Sequence, residues 1–263
     1  SSKMAHALKI WPLLTGTIRY EKTISTRNRG HGQWIDAPIL AYLIETTQGR
    51  ILYDAGCDYR KISDSAQRQQ FFASMQPVIE TPQMRAEQRI PHYLGRLGLT
   101  TTDIDLILIG HLHFDHVGGL CDLPGCEVHL HHAELTAART GQDSGIFPDE
   151  LLQSDQWRLQ HAEYELVPGV HVLTTPGHTA GHLSLLIGLP KANSIILCGD
   201  AADLSENLTD EIAPGCCWQN NFEQALTSIR KLKSIAISER AQLWPNHDMV
   251  FFKKLPTFPI GYE

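Results

Sequence analysis

The sequence predicts an α/β fold in which helices cover the faces of β-sheets. Three observations predict it: an apolar hairpin near the start, short apolar runs through the rest of the chain, and a late segment with helical apolar spacing. Hairpin strands followed by strands mixed with helices are typical of sheets that bury a face under helices. We therefore expect a layered architecture of sheets and helices.

The predicted hairpin covers residues 39–54. Residues 39–46, with the sequence ILAYLIET, are rich in the β-branched, aromatic and other apolar side chains that favour strands. Residues 47–49 supply a turn that ends in glycine, and residues 50–54 are predicted to form the partner strand.

Later strands are predicted from short apolar runs. Residues 104–109 are almost continuously apolar, which indicates a strand buried on both faces. Similar runs predict the remaining strands, at residues 127–130, 170–174, 183–188, 194–198 and 242–244.

Two segments have the spacing of helices that pack on a sheet. Within residues 222–235 the apolar side chains that recur at helical spacing are Phe222, Ala225, Leu226, Ile229 and Leu232. Residues 87–97 place Ile90, Leu94 and Leu97 on one face, and Pro91 is tolerated if it falls in the first turn. Both segments are predicted to be helices.

Length and composition indicate one globular domain. The chain has 263 residues, of which 42% are hydrophobic and 19% charged, a balance that supports a sizeable core. No linker or repeat divides it, so we predict a single domain over residues 4–263 and interpret residues 1–3 as a cloning remnant. No apolar run reaches the roughly 18 residues of a membrane helix.

Charge and cysteine usage restrict the partners and the compartment. A formal net charge of −7 argues against the broad basic surface of a nucleic-acid binder. Six cysteines are scattered without a C-x-x-C pair, and no secretion signal is evident. We therefore expect reduced thiols, a cytoplasmic location, no nucleic-acid partner and no membrane partner.

The most informative segment is His111-Leu112-His113-Phe114-Asp115-His116, directly after the predicted strand at 104–109. Side chains two residues apart converge where a strand runs into a loop, so His111 and His113 are placed to bind one cation. Asp115 and His116 follow within reach of a second cation. Imidazole and carboxylate ligands suit zinc, iron, cobalt or manganese.

Three further segments carry a ligand-type residue just after an apolar run. They supply His178, Asp200 and His247. Strands that end at one edge of a sandwich bring such residues together, so we predict that all three join the histidine cluster. The sequence thus predicts a site for two divalent metal ions, with zinc expected and iron, cobalt or manganese as alternatives.

The order HxHxDH, then GHTxGH, then an aspartate and a final histidine resembles the metallo-β-lactamase superfamily over essentially the whole chain. The resemblance implies an α/β fold of the four-layer αββα sandwich type, with the metals at one edge of the paired sheets. It also implies that His111, His113 and His178 bind the first metal. The second metal's ligands are then Asp115, His116 and His247, with Asp200 bridging both metals.

Within the superfamily, the chain most resembles the N-acyl-homoserine lactonase family of quorum-quenching enzymes. The resemblance rests on residues 36–39 (DAPI), residues 49–57 (GRILYDAGC) and the closing residues 261–263 (GYE). Asp203 stands where those lactonases usually have a tyrosine, and Asn246 stands where glycine is common. A homodimer is the expectation that this family carries.

The resemblance implies hydrolysis of a lactone or related ester. A hydroxide that bridges the two metals is expected to attack the carbonyl carbon, whose oxyanion a metal stabilises. Asp115 or Asp200 is expected to relay a proton to the leaving group, and Asp203 is either a further proton route or an ordinary loop carboxylate. His182 either orients a ligand by hydrogen bonding or is a polar group at a strand end.

Other functions and other histidines remain open at this stage. A thioester hydrolase of the glyoxalase II type shares these ligands, and a non-catalytic metal-binding protein could have kept the fold. His129, His131 and His132 lie outside the motif and are predicted to be surface residues. Phe71, Phe72 and Met75 either roof a substrate pocket or pack against the core or a dimer partner.

Overall fold

The computed structural model describes residues 7–152 and 156–263. These residues form two β-sheets that pack face to face, with helices on the outer face of each sheet. The proposed cloning remnant at residues 1–3 and the predicted domain start at Met4 lie outside the described residues. Among the helices that are described, none has the length and apolar character needed to cross a membrane.

The first sheet has six strands, and its spatial order follows the chain. The strands are β1 (Ala7–Glu21), β2 (Trp34–Thr46), β3 (Gly49–Tyr53), β4 (Leu106–Leu108), β5 (Val128–His131) and β6 (Trp157–Gln160). β1, β2 and β3 pair antiparallel, whereas β3 to β6 pair parallel. The carboxyl ends of β3, β4 and β5 therefore lie at the same edge of the sheet.

The second sheet has five strands in the order β11-β10-β9-β8-β7. The strands are β7 (Tyr164–Val167), β8 (Val170–Thr174), β9 (Leu183–Ile187), β10 (Ile195–Leu197) and β11 (Gln242–Trp244). β10 and β11 pair parallel, and β9 runs antiparallel to both β8 and β10. The carboxyl ends of β8, β10 and β11 therefore share one edge.

Helices cover both sheets and fill the edge between them. The α-helices are α1 (Tyr59–Ser63), α2 (Ser65–Phe72), α3 (Ile90–Arg96), α4 (Phe114–Val117), α5 (His132–Ala138), α6 (Ser205–Thr209), α7 (Phe222–Ser238) and α8 (Met249–Phe252). α3 and α5 pack on the outer face of the first sheet, and α7 packs on the outer face of the second. The layers thus run helix, sheet, sheet, helix, which confirms the predicted αββα fold class.

The central core lies between the two sheets. Tyr42 and Tyr53 of the first sheet pack in one buried cluster with Val172, Leu185 and Trp244 of the second. Removing this apolar surface from water is the main stabilising contribution, at roughly 25 cal/mol per Å². A rigid core directly beneath one sheet edge gives that edge a fixed position.

The predicted hairpin is confirmed, since β2 ends at Thr46 and β3 begins at Gly49. The predicted helix at 87–97 starts three residues late because Arg89 is extended, with ψ at 146°, and separates α3 from a preceding 3₁₀ turn. β1 is absent from the sequence prediction because Pro12 and a register shift near Gly16 interrupt its apolar pattern. An edge strand tolerates both irregularities.

Candidate metal centre

The structure brings all seven predicted ligand residues together at one edge of the sandwich. His111 and His113 follow β4, Asp115 and His116 lie in α4, and His178 follows β8. Asp200 and His247 follow β10 and β11. Because these strands end at a common edge, residues that are far apart in the sequence converge there.

The first group of ligand atoms consists of imidazole nitrogens from His111, His113 and His178. His178 Nε2 lies 3.2 Å from His113 Nδ1. His178 Nδ1–H donates to the carbonyl of Cys216 at 2.7 Å, and His113 Nε2–H donates to Asp143 Oδ2 at 2.7 Å. These bonds leave the lone pairs of His178 Nε2 and His113 Nδ1 free to bind a cation.

The second group consists of Asp115, His116, Asp200 and His247. His116 Nε2 lies 3.2 Å from oxygens of both Asp115 and Asp200. His247 Nε2 lies 3.0 Å from Asp200 Oδ1 and 3.4 Å from Asp115 Oδ2. Two carboxylates and two imidazoles therefore face one another within a buried space.

Asp200 adjoins both groups. Its Oδ2 atom lies 3.5 Å from His111 Nε2 and 3.6 Å from His178 Nε2, while the same carboxylate touches the second group. Asn246 Nδ2 donates to Asp200 Oδ1 at 2.8 Å and fixes its rotation. The Asp200 carboxylate is thus adjacent to both groups of ligand-type atoms.

Several residues that sequence reasoning missed hold the ligands in place. Asp54 accepts from Nδ1–H of His116 at 2.6 Å, Asp143 accepts from His113, and the carbonyl of Pro38 accepts from Nδ1–H of His247 at 2.8 Å. Such contacts select the imidazole nitrogen that faces a metal. Asp54 directly follows the apolar strand β3, beside β4, and this position was a signal that the sequence offered. Asp143 lies in a loop with no such signal.

Glu134 and His182 connect the ligand segments of the two sheets. The Glu134 carboxylate accepts from the backbone N–H of Leu112 at 3.0 Å and from that of Gly181 at 2.8 Å. His182 Nε2 accepts from the backbone N–H of Asp200 at 2.9 Å. His182 therefore orients a predicted ligand, which agrees with the first of its two predicted roles.

Glycines before two ligand residues allow the backbone to approach its neighbours. Gly199 has φ of +57°, and a Cβ there would lie 2.5 Å from the Tyr53 hydroxyl. Gly177 has φ of +138°, and a Cβ there would lie 2.4 Å from the Ala225 backbone in α7. Both positions favour glycine for its conformation and for its lack of a side chain.

Burial and charge set the protonation of the histidines. Burial lowers the pKa of His111 well below its usual value and that of His178 to about 4. Burial acts in the same direction on His247, but the adjacent Asp200 outweighs it and raises the pKa of His247 to about 10. Burial thus favours the neutral imidazole at His111 and His178, which is the form that binds a metal, whereas a metal bound at His247 would displace the proton that Asp200 favours.

The donor set fits divalent cations. Both ring nitrogens of His111 are buried and have no hydrogen-bond partner in the described part of the chain. An unsatisfied buried polar group costs about 1–3 kcal/mol, so we expect a ligand to bind at the His111 ring. Imidazole and carboxylate donors in this number suit zinc and similar transition metals.

Asp203 lies buried beside the second group. Its Oδ2 atom accepts from the Ser25 hydroxyl at 2.7 Å, and the Ser25 and Tyr20 hydroxyls are 2.6 Å apart. Its backbone carbonyl accepts from the N–H of His247 at 2.9 Å. Asp203 Oδ1 has no hydrogen-bond partner among the described residues.

An aromatic cluster supports the HxHxDH segment. Phe147 stacks on Phe114 at 5.2 Å, and Phe72 meets both rings edge-on. Phe72 is 2% exposed, so it packs in the core, as one of its two predicted roles required. Behind the cluster, the buried Lys61 amine lies 2.8 Å from Glu150 and 4.1 Å from the Phe71 ring centroid.

His129 and His132, two of the histidines predicted to lie at the surface, are outside both groups of proposed metal ligands. His129 bonds to Tyr164 at 2.8 Å and to Glu127 at 2.9 Å, and His132 is exposed beside His161. All six cysteines are free thiols in the structure.

Comparison with known sequences gives matches over most of the chain. Residues 34–236 match the family model described as the metallo-beta-lactamase superfamily. An N-acyl homoserine lactonase from Bacillus sp is 33% identical over 228 residues, covering 87% of this chain and 88% of that protein. The lactonase AttM from Azorhizobium caulinodans is 25% identical, covering 95% and 98% of the two chains.

Comparison with solved structures also finds N-acyl homoserine lactone hydrolases. An N-acyl homoserine lactone hydrolase, solved with N-hexanoyl-L-homoserine at its catalytic metal centre, superposes with a TM-score of 0.88 at 29% identity. AiiA from B. thuringiensis, with N-decanoyl-L-homoserine at its active site, also gives a TM-score of 0.88 at 29% identity. Both comparisons cover 98% of this chain and 100% of the other.

Proposed function

This chain belongs to the metallo-beta-lactamase superfamily, and we propose that it is a metal-dependent lactonase that opens N-acyl homoserine lactones. The observation that carries the proposal is the pair of ligand groups that Asp200 joins. The relatives that cover nearly all of this chain are named as lactonases for the same substrates. The corresponding role is quorum quenching, the removal of acyl-homoserine-lactone signals.

We propose His111, His113 and His178 as ligands of one metal, and Asp115, His116 and His247 as ligands of the other, with Asp200 bridging. Zinc is the proposed metal, since this donor set suits it. When bound, two such cations lower the pKa of a water molecule to near neutrality and polarise the carbonyl of the lactone.

The chain's own carboxylates supply the proton transfers. Asp115 and Asp200 belong to the second ligand group, so with substrate and metals bound each would be placed to accept a proton from an attacking water and pass it to the leaving oxygen. Asp203, held by Ser25, is proposed as a further proton route. Asp54 and Asp143 hold His116 and His113 in one orientation throughout the reaction.

We propose residues 4–263 as one hydrolase domain, because ligands from both sheets complete a single centre. The homodimer stays a prediction, and light scattering of the purified protein tests it.

Hydrolysis of N-hexanoyl homoserine lactone, followed by proton release, tests the proposed function. The wild type is compared with His111→Ala and Asp200→Ala, each with its metal content measured. His129→Ala is the matched control, since it removes a histidine outside both ligand groups. We expect loss of activity and of bound metal in the first two variants only.

Two results would contradict the proposal. One is that the fully metal-loaded wild type leaves every acyl homoserine lactone intact. The other is that S-lactoylglutathione is hydrolysed while lactones are not, which would establish the thioester hydrolase instead.

A further inference from the structure

A cavity of about 440 Å³ lies next to the metal centre. Its lining includes Thr23 and Ile24, Gly215 and Cys216, and Arg27 and Phe222. The volume lies within the range of pockets that hold small organic ligands.

Two of the segments that line the cavity also contact residues of the candidate metal centre. Ser25, which directly follows the lining residues Thr23 and Ile24, donates to Asp203 at 2.7 Å. The carbonyl of Cys216 accepts from His178 at 2.7 Å. A substituent on a lactone held at the metals therefore has this cavity as a neighbouring space.

Among the described residues, no carboxylate pairs with the guanidinium group of Arg27 in this cavity. In the part of the chain that the structure describes, no salt bridge or side-chain hydrogen bond involves it. Its guanidinium lies 3.8 Å from the centroid of the Phe222 ring. By contrast, Arg29 pairs with Glu206 at 2.9 Å and with Asp210 at 2.6 Å.

Stacking on an aromatic ring fixes the plane of a guanidinium and leaves its N–H groups directed outward. Those donors match the oxygens of a carboxylate or ketone, which accept in the same plane. The apolar part of the lining, Ile24, Val78 and Phe222, suits an aliphatic chain, and the polar residues Asn28 and His31 complete the lining. The cavity thus combines a surface for an acyl chain with one oriented donor group.

We propose that this cavity receives the acyl substituent of the substrate and that Arg27 selects acyl chains carrying an acceptor oxygen, with a carboxylate as the strongest ligand. The proposal rests on the proposed lactonase function and names its preferred substrate class. Arg27 acts on substrate recognition and takes no part in opening the ring.

Binding of non-hydrolysable lactam analogues tests the proposal without relying on turnover. Pairs of acyl lactams of equal chain length, ending in methyl or in carboxylate, are titrated by calorimetry over a series of lengths. We expect the metal-loaded wild type to bind the carboxylate member about fivefold more tightly at the length that reaches Arg27, the upper range for a partly exposed ion pair. Arg27→Met should abolish this preference, and Arg27→Lys should retain part of it.

Arg29→Met is the matched control, because it removes the same charge from a neighbouring position outside the cavity. It should keep the wild-type preference. Equal binding of both members at every length, a preference that survives in Arg27→Met, or failure of both lactams to bind would overturn the proposal. If the protein opens lactones but binds both lactams of each pair equally, the Arg27 proposal is wrong and the proposed lactonase function stands. If it binds the carboxylate lactam selectively but opens no lactone, only the proposed lactonase function is contradicted.

Discussion

The Nδ1 atom of His116 lies 2.6 Å from Oδ2 of Asp54, and both side chains are 1% exposed. The other Asp54 oxygen accepts from the backbone N–H of Gly110 at 2.9 Å, directly before His111. One carboxylate at the end of β3 therefore fixes two parts of the neighbouring ligand segment. It also determines that Nε2 of His116 faces Asp115 and Asp200.

Asp54→Asn should lower metal affinity at the second group and lactonase activity by about 10- to 100-fold, as removal of such orienting partners does. The amide keeps the size of the side chain but lacks the negative charge and the second acceptor oxygen of the carboxylate. Metal titration against a chelator and kcat/KM measure the two effects. Asp36→Asn, which changes an exposed ion pair with Arg19, is the control and should change neither quantity. Unchanged metal affinity in Asp54→Asn would contradict the orienting role.

Gly199→Ala should destabilise the fold by about 1–3 kcal/mol, the usual cost of a strained backbone position. A Cβ there would lie 2.8 Å from His182 Nε2, the atom that accepts from the Asp200 backbone. Displacing His182 also moves Asp200, so bound metal should decrease. Urea unfolding and metal analysis measure both effects. Gly188→Ala, where the nearest atom is 4.0 Å away, should behave like the wild type.

Asp203→Asn should lower kcat by about 100-fold, the lower range for a group that transfers protons, with metal content unchanged. The amide keeps the hydrogen bond from Ser25 but cannot carry the proton. Steady-state kinetics on metal-loaded protein measure the change. Asp210→Asn, at an exposed carboxylate that pairs with Arg29, is the control. A kcat within a factor of about two of the wild type would assign Asp203 a structural role, since a proton-transfer contribution is far larger.

Glu150 should make stability depend on pH. Burial outweighs the attraction of Lys61 and raises the pKa of Glu150 to about 7, from 4.5 for the exposed group. Between these values the folded state holds a proton that the unfolded state has released, so Glu150 contributes less stability as the pH rises. The difference corresponds to about 3 kcal/mol at most.

The measurement compares Glu150→Gln with the wild type by urea unfolding from pH 4.5 to pH 8 at matched metal loading. The free energy of unfolding of the variant, relative to the wild type, should increase across this range. Asp149 Oδ2 lies 2.6 Å from the Lys61 amine in the wild type, so we expect this ion pair to persist in the variant. A constant difference between the two proteins would show that Glu150 does not titrate in this window.

Much of the fold was predictable because its elements have strong local patterns. The strand at 170–174, the strand at 242–244 and the start of α7 at Phe222 match their predictions. β1 was not predictable because its proline and its irregular register hide the strand pattern, and only pairing with β2 reveals it. The cavity beside the metal centre likewise depends on the approach of two segments about 190 residues apart.

The sequence by itself determined the residue types of the proposed ligands and their positions at the ends of apolar strands, because both are local properties. The tertiary structure decided which nitrogen of each imidazole faces the centre. Asp143 accepts from Nε2–H of His113, whereas the Cys216 carbonyl accepts from Nδ1–H of His178. The two histidines therefore direct different ring nitrogens toward the centre. The physical reason is that each choice is made by a hydrogen bond to a residue at least 30 positions away, which no local pattern encodes.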